Sequence, residues 1–199
     1  MFKLTTEEKE QINKARILYY DFFSGVLVFE LLEGRLEVLK QQLEILRTIF
    51  VNEDLEEEIE ALQNEINKNG VQNLKEEHSR LFALPFGEKQ VGIHLSHYYE
   101  NCVGGESLLK ARGLIKKSDI RLNREYFKEG EEHLGFLCGF MCYLLQKGDS
   151  EDLAKEVFLF AKDAFLGLCK EIKERSDAKY YRTIALLLES FMTFEVEYY

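Results

Sequence analysis

The sequence predicts an all-α fold, a single domain over residues 1–199 built as an irregular helical bundle. Three observations lead there. The chain holds one proline, no tryptophan and few turn clusters, whereas strand-rich sandwiches need many turns. Apolar residues recur at helical spacing through most of its length. Between Leu134 and Leu145 no polar face remains, because Leu134, Leu137, Cys138, Met141 and Leu145 form one stripe and Phe136, Phe140 and Tyr143 a second. A soluble helix that is apolar all round is buried and central. This one, expected over 130–147, is too short and too closely flanked by charge to span a bilayer.

The remaining elements follow in chain order. Thr5 with Glu8 makes a capping box, and Ile12, Ala15, Tyr19, Phe22, Phe23 and Val26 give the first helix its buried side. Ser24-Gly25 marks its end or a kink. A second helix is expected over 35–50, with Leu36, Leu39, Leu43, Leu46, Ile49 and Phe50 facing inward. Asn52 is placed to cap the next, whose acidic start suits a helix N-terminus. That helix carries Leu55, Ile59, Leu62 and Ile66, and its carboxylates read as a solvated face. After Asn69-Gly70 a helix resumes from Val71 through Leu74, His78, Leu81 and Phe82. Pro85 and Gly87 then open a long loop through Gly92 and the cluster His94-Leu95-Ser96-His97-Tyr98-Tyr99 to Gly104-Gly105. Function concentrates in such loops. A helix is expected from Glu106 to about Lys117. Asp149 is placed as N-cap of a helix over 150–175, and a last helix covers 178–197.

Composition narrows the function classes. At 199 residues and 46% hydrophobic, the chain can bury a core without staples and is not disordered. Its net charge is −10 and no basic stripe stands out, which argues against nucleic-acid binding. Cys102, Cys138, Cys142 and Cys169 form no Cys-x-x-Cys pair, and free thiols fit a reducing cytoplasm. The amino terminus lacks the apolar run of a secretory signal, and no stretch is a transmembrane candidate.

No complete catalytic constellation is present. There is no His-Glu-x-x-His, no zinc-type cysteine pairing, no phosphate-binding glycine loop and no nucleophile with an evident base. The expectation is therefore no catalytic residue, no metal and no cofactor. Glu131, Glu132 and His133 stand where the buried helix meets the surface. They either complement the helix dipole or mark a functional junction.

Several stretches together resemble the TorD/DmsD/NarJ family of molybdoenzyme maturation chaperones. Ala15-Arg16-Ile17-Leu18-Tyr19 is similar to its opening helix, and His78-Ser79-Arg80-Leu81-Phe82 with Pro85 and Gly87 to its Leu-Phe segment. His94-Leu95-Ser96-His97-Tyr98 sits where the family has Tyr-x-Ser-x-Tyr. Gly130-Glu131-Glu132-His133-Leu134 stands for its Pro-x-Asp-His, with Glu132 in place of aspartate and no proline at 130 or 131. Tyr180-Tyr181-Arg182 and Ala185-Leu186-Leu187 resemble its carboxy-terminal helix.

The resemblance implies a cytoplasmic, non-enzymatic chaperone with a TorD/DmsD-like bundle. Its partner would be the precursor of a molybdoenzyme catalytic subunit, often met at a twin-arginine signal peptide. The chaperone would assist cofactor insertion and proofread export. Monomer and domain-swapped dimer both stay open. The implied client-binding residues are His78, Leu81, Phe82, His94, Ser96, Tyr98, Glu132 and His133, expected around one groove. Glu132 would pair with an arginine of the peptide, and Glu132→Gln would weaken binding while changing the fold little. Two other readings stand beside this one: a general helical protein–protein adaptor, and a metal-dependent enzyme built on His94, His97 and His133.

Overall fold

The computed structural model describes residues 5–49, 53–84 and 88–199. Among them are ten α-helices and one π-helical turn, with no strand. Phe50, Asn52, Pro85 and Gly87, used in the expectations above, lie outside the described residues.

Helix α1 (Thr6–Leu27) begins at the expected box. Thr5 Oγ1 accepts from Glu8 N at 3.2 Å, and the Glu8 carboxylate accepts from Thr5 N at 2.7 Å. The helix does not stop at Ser24-Gly25. Both residues are buried within it, and extended Val28 ends it instead. Gly25 serves packing rather than termination, since a Cβ there would meet Leu39 Cδ2 at 3.3 Å. A short helix α2 (Phe29–Gly34) follows, unforeseen because six residues carry too little periodicity to register.

Helices α3 (Leu36–Ile49) and α4 (Glu53–Asn69) pack on each other, with Leu39, Leu43, Leu46, Leu55, Ile59, Leu62 and Ile66 buried. Glu56, Glu57 and Glu58 are exposed, as a solvated face requires. Gly70, at φ +63°, turns the chain into α5 (Gln72–His78). There the expected continuous helix gives way to a π-helical turn, Ser79–Ala83. Such turns are rare and recur at functional sites.

The middle segment is not one long loop. It contains α6 (Leu95–Glu100), whose end is set by Asn101 in the left-handed conformation. Helix α7 (Glu106–Lys116) follows. The central helix α8 (Leu134–Lys147) starts four residues later than expected, because His133 is its N-cap and 130–133 run into a backbone pairing described below. Its apolar residues Leu134, Leu137, Cys138, Phe140, Met141, Cys142, Leu144 and Leu145 are buried, and it packs on α1 and α9 (Glu151–Glu174). Ser150, not Asp149, occupies the N-cap of α9, and its hydroxyl donates to the Asp149 carboxylate at 2.9 Å. Helix α10 (Tyr180–Tyr198) lies against α9 and α4. Its N-terminus is capped from a distance by buried Glu77, which accepts from the backbone N–H of Lys179, Tyr180 and Tyr181 at 2.8–3.1 Å. No helix among the described residues is long and apolar enough to cross a membrane.

Candidate functional site

The residues singled out by motif converge on one short extended segment ahead of α6. Val91 N donates to Leu81 O of the π-helical turn at 2.9 Å. Two residues on, Ile93 O accepts from Leu134 N at 2.9 Å, and Leu95 N donates to Glu132 O at 3.1 Å. His94 and His133 thus face each other in a single antiparallel bridge, their rings edge to face at 5.4 Å. The stretches around 80, 94 and 132 are sewn together by main chain.

Glu132 locks this junction from beneath. Its side chain is buried, and its carboxylate accepts from Ser96 N at 2.9 Å, from Gly104 N at 2.8 Å and from the Ser96 hydroxyl. Ser96 Oγ in turn accepts from Gly105 N at 3.1 Å. A carboxylate is the one side chain that accepts at both oxygens without donating. Glu132 therefore fixes the start of α6 and the loop that leads to α7.

His133 closes the N-terminus of α8. Its Nδ1 accepts from Gly135 N at 3.1 Å and Phe136 N at 3.4 Å, so the proton of the neutral ring sits on Nε2. Burial, with His94 and His78 nearby, holds its pKa well below the ordinary histidine value. His78 is likewise buried, among the rings of Phe29, Phe82 and Tyr181. Its Nε2 donates to Leu27 O at 3.1 Å, which leaves buried Nδ1 without a hydrogen-bond partner. Burial pushes its pKa down to about 4 against the opposing effect of that carbonyl.

The outer wall belongs to α6 and α9. Glu171 accepts from Gly92 N at 2.9 Å and hydrogen-bonds His97 Nε2 at 3.0 Å, and Tyr98 donates to Gly92 O at 2.7 Å. Burial would raise the Glu171 pKa, yet these hydrogen bonds, with the His97 one largest, bring it below the usual carboxylate value. Two glycines make the wall possible. A Cβ on Gly92 would fall 2.0 Å from the His97 ring, and one on Gly167 would fall 2.5 Å from Tyr98. His94 Nε2 meets Glu129 at 3.0 Å.

Over this scaffold runs an open cleft of about 360 Å³, lined by Phe82, Val91, Ile93, His94, His97 and Val103 among others. Val103 is 71% exposed at its edge. The motif residues therefore divide. Phe82 and His94 line the cleft. His78, Leu81, Ser96, Glu132 and His133 are buried, and Tyr98 is partly buried. Glu132 has its hydrogen-bonding capacity engaged within the protein, which makes it a positioning group rather than a surface carboxylate. No group of three or more histidine, cysteine or carboxylate side chains suited to a metal ion occurs among the described residues.

Glu171, Gly167 and Val103 escaped sequence reasoning, and Gly92 was read only as a loop residue. Glu171 sits within an ordinary amphipathic helix and meets the cleft only through tertiary packing. Gly92, close before the histidine pair, was the one legible signal.

A family model described as nitrate reductase delta subunit matches residues 51–184. That span takes in every residue lining the cleft, together with Glu132, His133 and Glu171. No curated protein and no solved structure matches the chain.

Proposed function

Because the chain belongs to the nitrate reductase delta subunit family, a family of maturation chaperones rather than enzymes, we propose that it receives a molybdoenzyme catalytic-subunit precursor in the cytoplasm at the cleft along residues 91–94. The segment recognised is the twin-arginine signal peptide, and its release after cofactor insertion is the proofreading step. The observation that supports this reading is the cleft itself, an apolar surface of Phe82, Ile93 and Val103 beside His94 and His97. A signal peptide joins a cationic end to an apolar stretch. The apolar lining would bury part of that stretch at roughly 25 cal/mol per Å². A neighbouring hollow that shares Lys89 and Val91 with the cleft is lined by Glu88, Glu171 and Glu174 against Lys89 and Arg175, and Glu129 meets His94, so the carboxylates that would take up a cationic end stand beside the cleft rather than in it.

The test is calorimetric titration with a synthetic peptide bearing two adjacent arginines ahead of an apolar stretch. Val103→Ser alters an exposed position, adds no charge and leaves the fold intact. With Phe82→Ala, it is expected to weaken binding at least about tenfold, or about 1.4 kcal/mol. Wild-type affinity in both variants would remove the cleft from client recognition.

A further inference from the structure

The expectation that no basic stripe exists fails at one place. Between residues 108 and 128 stand seven lysines and arginines and two carboxylates, a net charge of +5 in a chain of net −10. The cations stand at 110, 112, 116, 117, 121, 124 and 128 over a helix and a loop, so apart from Lys116-Lys117 no run of consecutive charge betrays them.

Six of the seven are exposed, and Glu131 ties helix and loop together by pairing with Arg112 at 3.0 Å and Arg124 at 3.1 Å. Lys110 and Lys116 are exposed on α7 and Lys117 at its C-cap, and Arg121, Arg124 and Lys128 follow on the exposed loop to α8. Three of the seven are engaged by carboxylates of the protein: Arg112 and Arg124 with Glu131, and Lys117 with Glu156. Lys110, Lys116, Arg121 and Lys128 have no carboxylate at ion-pair distance among the described residues. Arg121 and Lys128 donate instead to main-chain carbonyls, Arg121 to Ser118 O at 2.7 Å and Lys128 to Arg124 O at 2.8 Å. The helix dipole accounts for cations at the end of α7, but not for Lys110 in its middle.

Apolar side chains are interleaved with these cations. Leu109 is 65% exposed and Tyr126 76% exposed. Between α7 and α9 lies a groove of about 400 Å³ with Leu114 and Phe160 on its floor and Lys110, Lys117 and Glu156 at its rim. Gly113 leaves its wall open, because a Cβ there would meet nothing within 4 Å.

We propose that this face docks an acidic, amphipathic segment of a partner polypeptide, at a surface distinct from the client cleft. Apolar residues of the partner would enter the groove, and its carboxylates would meet Lys110, Lys116 and Lys128. None of those three has a carboxylate to exchange among the described residues, whereas Lys117 at the groove's rim is already paired with Glu156. The strongly acidic remainder of the chain repels such a segment elsewhere, which steers it to this face. Long polyanions gain less, since the same acidic surface surrounds the patch.

The probe is a labelled amphipathic peptide of about 14 residues with leucines at helical spacing and glutamates between them. Companion peptides carry glutamine or lysine in place of glutamate. Affinity is read by fluorescence anisotropy at about 50 and 300 mM salt. The glutamate peptide is expected to bind at least about tenfold tighter than the others, and to weaken as salt rises. The combined variant Lys110→Glu, Lys116→Glu, Lys128→Glu should lose at least about tenfold of that affinity. A charge-matched control, Lys9→Glu, Lys68→Glu, Lys170→Glu, should lose little, which separates location from net charge. Equal binding of the three peptides, or equal loss in the two variants, would overturn the proposal. So would a patch that binds anionic phosphatidylglycerol vesicles or a DNA duplex while ignoring the acidic peptide.

Discussion

His78 is a buried, neutral base with one ring nitrogen unpartnered, and this gives the protein a titration signature. Its folded pKa is about 4, below the ordinary 6.5, because burial disfavours the charged ring. The unfolded chain therefore binds more protons between these values. Stability contributed by neutral His78 is complete above about pH 6.5 and falls as pH drops towards 4. The shift corresponds to a loss of about 3 kcal/mol across that window. His133, also depressed by burial, acts in the same direction. His78→Phe keeps an aromatic ring among Phe29, Phe82 and Tyr181 and removes the proton site. Denaturant unfolding from pH 7.5 to 4 should show a shallower decline in this variant than in wild type, and parallel declines would exclude His78 as the source. Little of this was legible in the sequence. His78 was marked by its place before Leu81-Phe82, but the Leu27 carbonyl and the rings of Phe29 and Tyr181 come from three other helices.

At the scale of elements, helices with a sustained stripe were readable, and short or irregular ones were not. α3, α4, α7, α9 and α10 lie where apolar spacing placed them. α2 and α6 have six residues each, too few for a periodic signal against their neighbours. The start of α8 was misplaced for a different reason. Residues 130–133 look helical by composition, but Glu132 O accepts from Leu95 N and the adjoining Leu134 N donates to Ile93 O, a long-range pairing that local spacing does not encode. Glu132 shows the consequence. Motif resemblance identified it as important, yet burial changes its role from contacting a peptide to joining three elements. Glutamine there would present an amide N–H to Ser96 N or Gly104 N whichever way it is flipped. Glu132→Gln is therefore expected to destabilise the fold by about 1.5–3 kcal/mol, the range for hydrogen bonds to a charged group. This revises the expectation of an unchanged fold. An unfolding midpoint equal to that of wild type would show that the carboxylate does not anchor the junction.

For the molecule as a whole, the buried apolar residues form one connected cluster drawn from helices at both ends of the chain, and α8 runs through it between α1 and α9. The cleft stands on the amino end of that helix through His133 and the Leu134 N–H, so core and cleft share a support. Leu137, one turn in from that end, is 1% exposed. Leu137→Asp removes a buried aliphatic side chain, a loss of about 2–5 kcal/mol by itself. It also places a carboxylate in an apolar site, where the group is either charged without a partner or forced to take up a proton. The total loss should reach about 4 kcal/mol or more, a large share of the roughly 5–15 kcal/mol that holds a typical domain together. The loss should be greater at pH 8 than at pH 5, because protonating the aspartate relieves part of its burial cost. Since the cleft and the core meet at α8, peptide binding and helical circular dichroism should disappear together on heating this variant. A Leu137→Asp protein with the wild-type melting temperature would remove the helix from the core, and binding lost well below the melting transition would show that the cleft unfolds apart from it.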